Sequence, residues 1–186
     1  SINEQVVLPL QANCGFAFGP ELGLGHYLAL NDGNTTSLIK MAYGGTNLHT
    51  DWLSPSAVTG NKQVGSLFNN LSDKIDSLKT QPESIHPDCL TVTCQWDAFI
   101  WFQGEADSDS AFGAQNYEQN LRHFIADVRQ RAERSNLPIV LVEIGYWAKE
   151  DLEYGKQIAA AQQKIASEDP HIKLVTTDDL SRFFHF

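Results

Sequence analysis

Apolar positions along the chain follow two periodicities, and the switches between them lay out the fold. Within residues 61–80, Val64, Leu67, Phe68, Leu71, Ile75 and Leu78 recur on the i, i+3, i+4, i+7 pattern of an amphipathic helix. Tyr117, Leu121, Phe124, Ile125, Val128 and Ala132 repeat it over 115–134, and a third helix is predicted over 152–167. Phe18-Gly19-Pro20-Glu21-Leu22 reads as a helix start: proline suits the first position and Glu21 complements the positive end of the dipole. That helix runs to about Leu30 and carries His26. Between the helices stand short apolar runs at 36–43, 98–102, 137–145 and 173–177, with a further candidate strand at 4–10 that Pro9 demotes to an edge. The run Ala98 to Phe102 is continuously apolar, the composition of a strand buried on both faces. Strands alternating with helices predict an α/β fold: a three-layer α/β/α sandwich with a mainly parallel sheet of about five strands.

Composition narrows the class. Apolar content of 42% and charged content of 19% over 186 residues describe a globular chain of one domain. No apolar run approaches the roughly 20 residues of a membrane span. A net charge of −10 argues against nucleic acid or an anionic membrane as partner and fits a neutral, small-molecule or glycan substrate. Oligomeric state is not encoded in any pattern of the chain. Cys14, Cys89 and Cys94 form no CxxC pair and no zinc spacing. Cys89 and Cys94 are close enough to bridge across a turn in an exported protein, with two buried thiols as the alternative. A secreted or periplasmic location is the expectation that goes with the bridge.

Candidate chemistry gathers where strands end. The 98–102 run stops on Gln103-Gly104-Glu105-Ala106-Asp107, and ligands of open α/β sheets bind at the carboxyl ends of strands. Gln103, Glu105 and Asp107 are therefore placed like site residues; a polar strand-to-loop transition with Asp107 capping a turn is the bland alternative. The 36–43 run ends on Gly44-Gly45-Thr46, whose backbone N–H groups could point together at a developing negative charge, unless this is a plain tight turn. Trp52 follows, expected to line a cleft with Asp107 as a substrate contact. The tail from Asp178 to His185 places a histidine beside acidic residues. A backbone donor, an amide donor and a histidine make up most of an acyl-transfer site.

These segments carry a resemblance. Phe18-Gly-Pro-Glu-Leu22, Ile39-Lys-Met-Ala-Tyr-Gly-Gly-Thr46, Trp52 and Trp101-Phe-Gln-Gly-Glu-Ala-Asp107 resemble the sialate O-acetylesterase-like branch of the SGNH hydrolases, which includes acetylxylan esterases. The likeness runs on through Tyr117, Asp127-Val-Arg129, Leu137-Pro-Ile-Val and Thr177-Asp-Asp-Leu180. It implies a carbohydrate O-acetyl esterase with no metal or organic cofactor. Gly44 or Gly45 would supply an oxyanion N–H and Gln103 the side-chain donor. Glu105 would hold the hydrogen-bond network, and His185 would be the general base. Two departures stand out. The family's serine nucleophile in a Gly-Gln-Ser-Asn-like motif has no counterpart, and the acid three residues before the histidine is replaced by Arg182. Residues 1–186 are thus expected to be a single domain incomplete at both ends. Loss of a nucleophile typically costs about 10⁶ in rate, so the chain as written is expected to be inactive.

Two rival readings remain. A glycosidase would use Glu105 and Glu143, both at strand ends. Against it, 186 residues fall short of the ~250 of an eight-stranded barrel. A non-catalytic carbohydrate-binding module would use Trp52, Tyr146 and Trp147 as stacking platforms.

Overall fold

A computed structural model of the chain describes residues 19–31, 36–144 and 152–177. Its elements are α1 (Glu21–Asn31), α2 (Ser66–Thr80), β1 (Phe99–Trp101), α3 (Ala111–Arg131), β2 (Ile139–Val142), α4 (Leu152–Glu168) and β3 (Ile172–Val175). The strands form one parallel sheet in the order β1-β2-β3, with Phe99 beside Ile139 and Ile139 beside Ile172. Two consecutive strand–helix–strand units therefore build the sheet, as the alternation predicts.

Register decides what each strand buries. Phe99, Trp101, Ile139, Leu141, Ile172 and Leu174 share one face, where α3 and α4 pack against each other. Phe68, Leu71 and Ile75 of α2 join the same core. Rings fill its centre: Phe124 lies 4.3 Å from Trp101 and 5.6 Å from Phe68, centroid to centroid. The opposite face is open among the described residues, where Ile100, Lys173 and Val175 are exposed. That corrects the expectation of a first strand buried on both faces.

Two other expectations are corrected. Residues 36–43 form no strand, because extended backbone becomes a strand only with a ladder partner and no described residue supplies one. With the 4–10 candidate outside the described residues, three strands stand where about five were predicted. Helix α3 starts at Ala111 rather than 115. Ser110 Oγ accepts from Gly113 N at 3.0 Å and caps it. Gly113 is required there, since a Cβ at that position would sit 2.3 Å from Asp107 O.

The loop between Thr46 and α2 is tied down at several points. Gly65 N donates to Leu53 O at 2.8 Å, and Leu67 N donates to Asp51 O at 3.0 Å, satisfying a first-turn donor of α2 with backbone instead of a side-chain cap. A Cβ on Gly65 would lie 2.2 Å from Asp51 O, so glycine alone permits this approach. Buried Asp127 of α3 clamps the same loop, accepting from Ser56 N at 2.8 Å and from Ser56 Oγ at 2.6 Å. At the far end of α3, Arg129 donates to Leu137 O and pairs with Asp169, holding that carboxyl below its usual range through the hydrogen bond. Residues 81–95 hold two short 3-10 helices, Pro82–Ser84 and Pro87–Leu90, and a Cys89–Cys94 disulfide with Cα atoms 5.4 Å apart.

Asp127→Ala would strand both Ser56 donors. Loss of about 1–3 kcal/mol of stability is expected, read as a lower urea midpoint with an unchanged m value.

Candidate active site

The site grows from the carboxyl end of β1. Directly after Trp101 the chain turns through Gly104, which has φ +153°, a conformation that favours glycine. A Cβ there would meet Ile158 Cγ2 at 2.8 Å and Ile144 Cγ2 at 3.0 Å. The glycine thus lets α4 and the end of β2 close on the turn, which fixes where Gln103 stands. Tyr117 Oη donates to Gln103 O at 2.7 Å, and Gln162 Nε2 reaches the same carbonyl at 3.3 Å. Burial pushes the Tyr117 hydroxyl far above its ordinary range, so the phenol remains a neutral donor at any working pH.

The Gln103 side chain is nearly buried. Its Nε2 donates to Thr46 O at 2.9 Å and to Asp107 Oδ2 at 2.7 Å. Both partners accept only, so the amide nitrogen must face them, and Oε1 is left buried without a partner. Asp107 is 0% exposed. Besides Gln103 it accepts from Leu48 N at 2.8 Å and faces His49 Nδ1 at 2.9 Å. One carboxylate therefore joins the end of β1 to the loop after Gly44-Gly45.

In that loop Gly45 takes φ +70°, and both glycines are exposed. No hydrogen bond among the described residues uses their N–H groups. Thr46 Oγ1 donates to Tyr43 O at 3.0 Å and accepts from Trp52 Nε1 at 2.9 Å, which pins the turn beside the Gln103 amide. Two exposed backbone donors without a partner among the described residues thus stand in the loop that the Gln103 amide holds through Thr46 O.

Residues 4–185 match the family model for carbohydrate esterase, sialic acid-specific acetylesterase. The chain belongs to this family. A solved carbohydrate acetylesterase from Xanthomonas citri superposes with a TM-score of 0.59 at 19% identity, over 84% of this chain and 33% of that one. The chain spans about a third of that protein's length, and the likeness shows the shared α/β fold. No curated protein matches it.

Within this esterase-family chain, Gln103, Asp107 and the Gly44-Gly45 turn come together, while other candidates do not. Glu105, expected to hold the network, is exposed with no side-chain hydrogen bond to a described residue; Asp107 makes those bonds instead. Trp52 is 4% exposed and packs edge-on against Trp101 at 5.3 Å, so its ring is part of the core. Asp107 is sealed beneath Leu48 and His49. Glu143 is buried, with Oε1 accepting from Gln163 Nε2 and Oε2 unpartnered among the described residues, whereas Glu105 is exposed. His185, Asp178, Arg182, Tyr146 and Trp147 lie outside the described residues.

Sequence reasoning missed His49 and Gln162. Nothing near His49 marks it, because its partner is 58 residues away. Gln162 had a signal: it falls on the Ile158, Ala161, Ile165 stripe of α4, a polar residue in an apolar row, and is fully buried.

Asp107→Ala would leave the Leu48 N–H, one Gln103 amide proton and the His49 ring without their acceptor. A stability loss of about 3 kcal/mol or more is expected, measured by chemical denaturation.

Proposed function

We propose that this protein is a carbohydrate O-acetyl esterase that hydrolyses acetyl esters on sugars by acyl transfer. The observation that carries the reading is the Gly44-Gly45 turn, whose N–H groups have no partner among the described residues and which Thr46 holds beside the Gln103 amide, in a chain of an acetylesterase family. As a hydroxyl attacks the acetyl carbonyl, negative charge develops on the carbonyl oxygen. The glycine N–H groups receive that charge, and Gln103 joins them if the oxyanion replaces Thr46 O as acceptor of one amide proton. Each such donor is typically worth about 2.7–4 kcal/mol, or 10²–10³ in rate. A histidine takes the proton from the attacking hydroxyl and returns it to the leaving sugar alkoxide. The resemblance gives that part to His185, and the attacking hydroxyl in the family is a serine's.

The substrate class follows from charge as well as family: an acidic chain of −10 suits uncharged acetylated glycans better than polyanions. No helix among the described residues is long and apolar enough to cross a membrane. A secreted or periplasmic location is part of the proposal, supported by the Cys89–Cys94 bridge, which belongs to an oxidising compartment.

The test is hydrolysis of p-nitrophenyl acetate by the full-length protein beside Gln103→Ala. Activity in the parent and a fall of at least about tenfold in kcat for the variant are expected. A parent without activity on any acetyl ester would overturn the esterase reading.

A further inference from the structure

Asp107 has a second side-chain neighbour that the acyl-transfer chemistry leaves idle. Two histidine rings among the described residues stand within 4 Å of a carboxylate. His86 lies 3.7 Å from exposed Asp88, whereas His49 Nδ1 lies 2.9 Å from fully buried Asp107. An ionised carboxylate only accepts, so in the neutral ring Nδ1 carries the proton and Nε2 presents a lone pair. Nε2 has no hydrogen-bond partner among the described residues, and the side chain is 17% exposed. Phe112 holds the ring from the side, with centroids 5.4 Å apart and planes at 80°. Phe112 is itself 52% exposed. The outcome is a partly exposed ring of fixed tautomer and fixed orientation beside Phe112, over whose ring Lys62 Nζ stands at 5.1 Å.

We propose that His49 is a specificity-determining contact: its Nε2 accepts a hydrogen bond from a free hydroxyl of the sugar that carries the acetyl group. The inference rests on the esterase reading. Gln103 and His49 share one carboxylate, so around Asp107 the imidazole is the side chain next to the Gln103 amide. Exposed Phe112, with Lys62 Nζ 5.1 Å from its ring centroid, borders the same place. An aryl acetate has no hydroxyl to donate and gains nothing from the contact.

The experiment compares the full-length protein with His49→Asn on p-nitrophenyl acetate and on a mono-O-acetyl methyl glycoside with free hydroxyls. Asparagine keeps an amide donor for Asp107, so the carboxylate that orients Gln103 stays satisfied, and it lacks an atom where Nε2 stood. For this variant kcat/KM on the glycoside is expected to fall roughly three- to tenfold, mainly through KM. On p-nitrophenyl acetate it should stay within about twofold. Equal losses on the two substrates, or no loss on the glycoside, would overturn the proposal while leaving the esterase reading intact. A parent that cleaves neither substrate removes both.

Discussion

The buried carboxylate of Asp107 is the constraint around which the carboxyl edge of the sheet is arranged. A charge withdrawn from water is tolerable only when donors replace the lost hydration. The chain supplies them from two places: the Gln103 amide at the end of β1, and Leu48 with His49 on the loop after the glycine turn. Satisfying one side chain thus forces two segments, separated by more than fifty residues of sequence, into register. The groups proposed as oxyanion donors are placed by that requirement. Gln103 is held still because Asp107 must be satisfied, and the Gly44-Gly45 turn is near it because Leu48 is anchored to the same oxygen.

A second set of contacts fixes the turn from below. Tyr117 and Gln162 both reach the Gln103 carbonyl, so α3 and α4 each register against the residue that carries the amide. Gly104 removes the side chain that would hold α4 away. Backbone position comes from the helices and side-chain orientation from the carboxylate, and neither set of bonds does the other's work.

Much of this was legible in the sequence, for local reasons. Helices α2, α3 and α4 show their apolar stripes, and the strand–helix alternation implies a parallel sheet. What stayed hidden depends on partners distant in sequence. Residues 36–43 have a strand's composition, yet a strand is a pairing and not a property of a segment. Gly113 reads as loop punctuation, but its smallness serves the close approach of Asp107 O to the first turn of α3. Asp107 reads as a substrate contact, since a carboxylate at a strand end gives no sign that donors will arrive from residues 48 and 49 and bury it. Gln103 was legible because an amide leaving an apolar strand is conspicuous locally.

The backbone closure around Gly65 has a kinetic and entropic consequence for recognition. His49 sits in a segment whose far end is stapled by Asp51 and Leu53 carbonyls and clamped to α3 through Ser56. Its ring is already immobilised, so a molecule that meets it forfeits little protein disorder on docking. Encounter there resembles a key meeting a finished lock, with no folding of the surface left to accompany it.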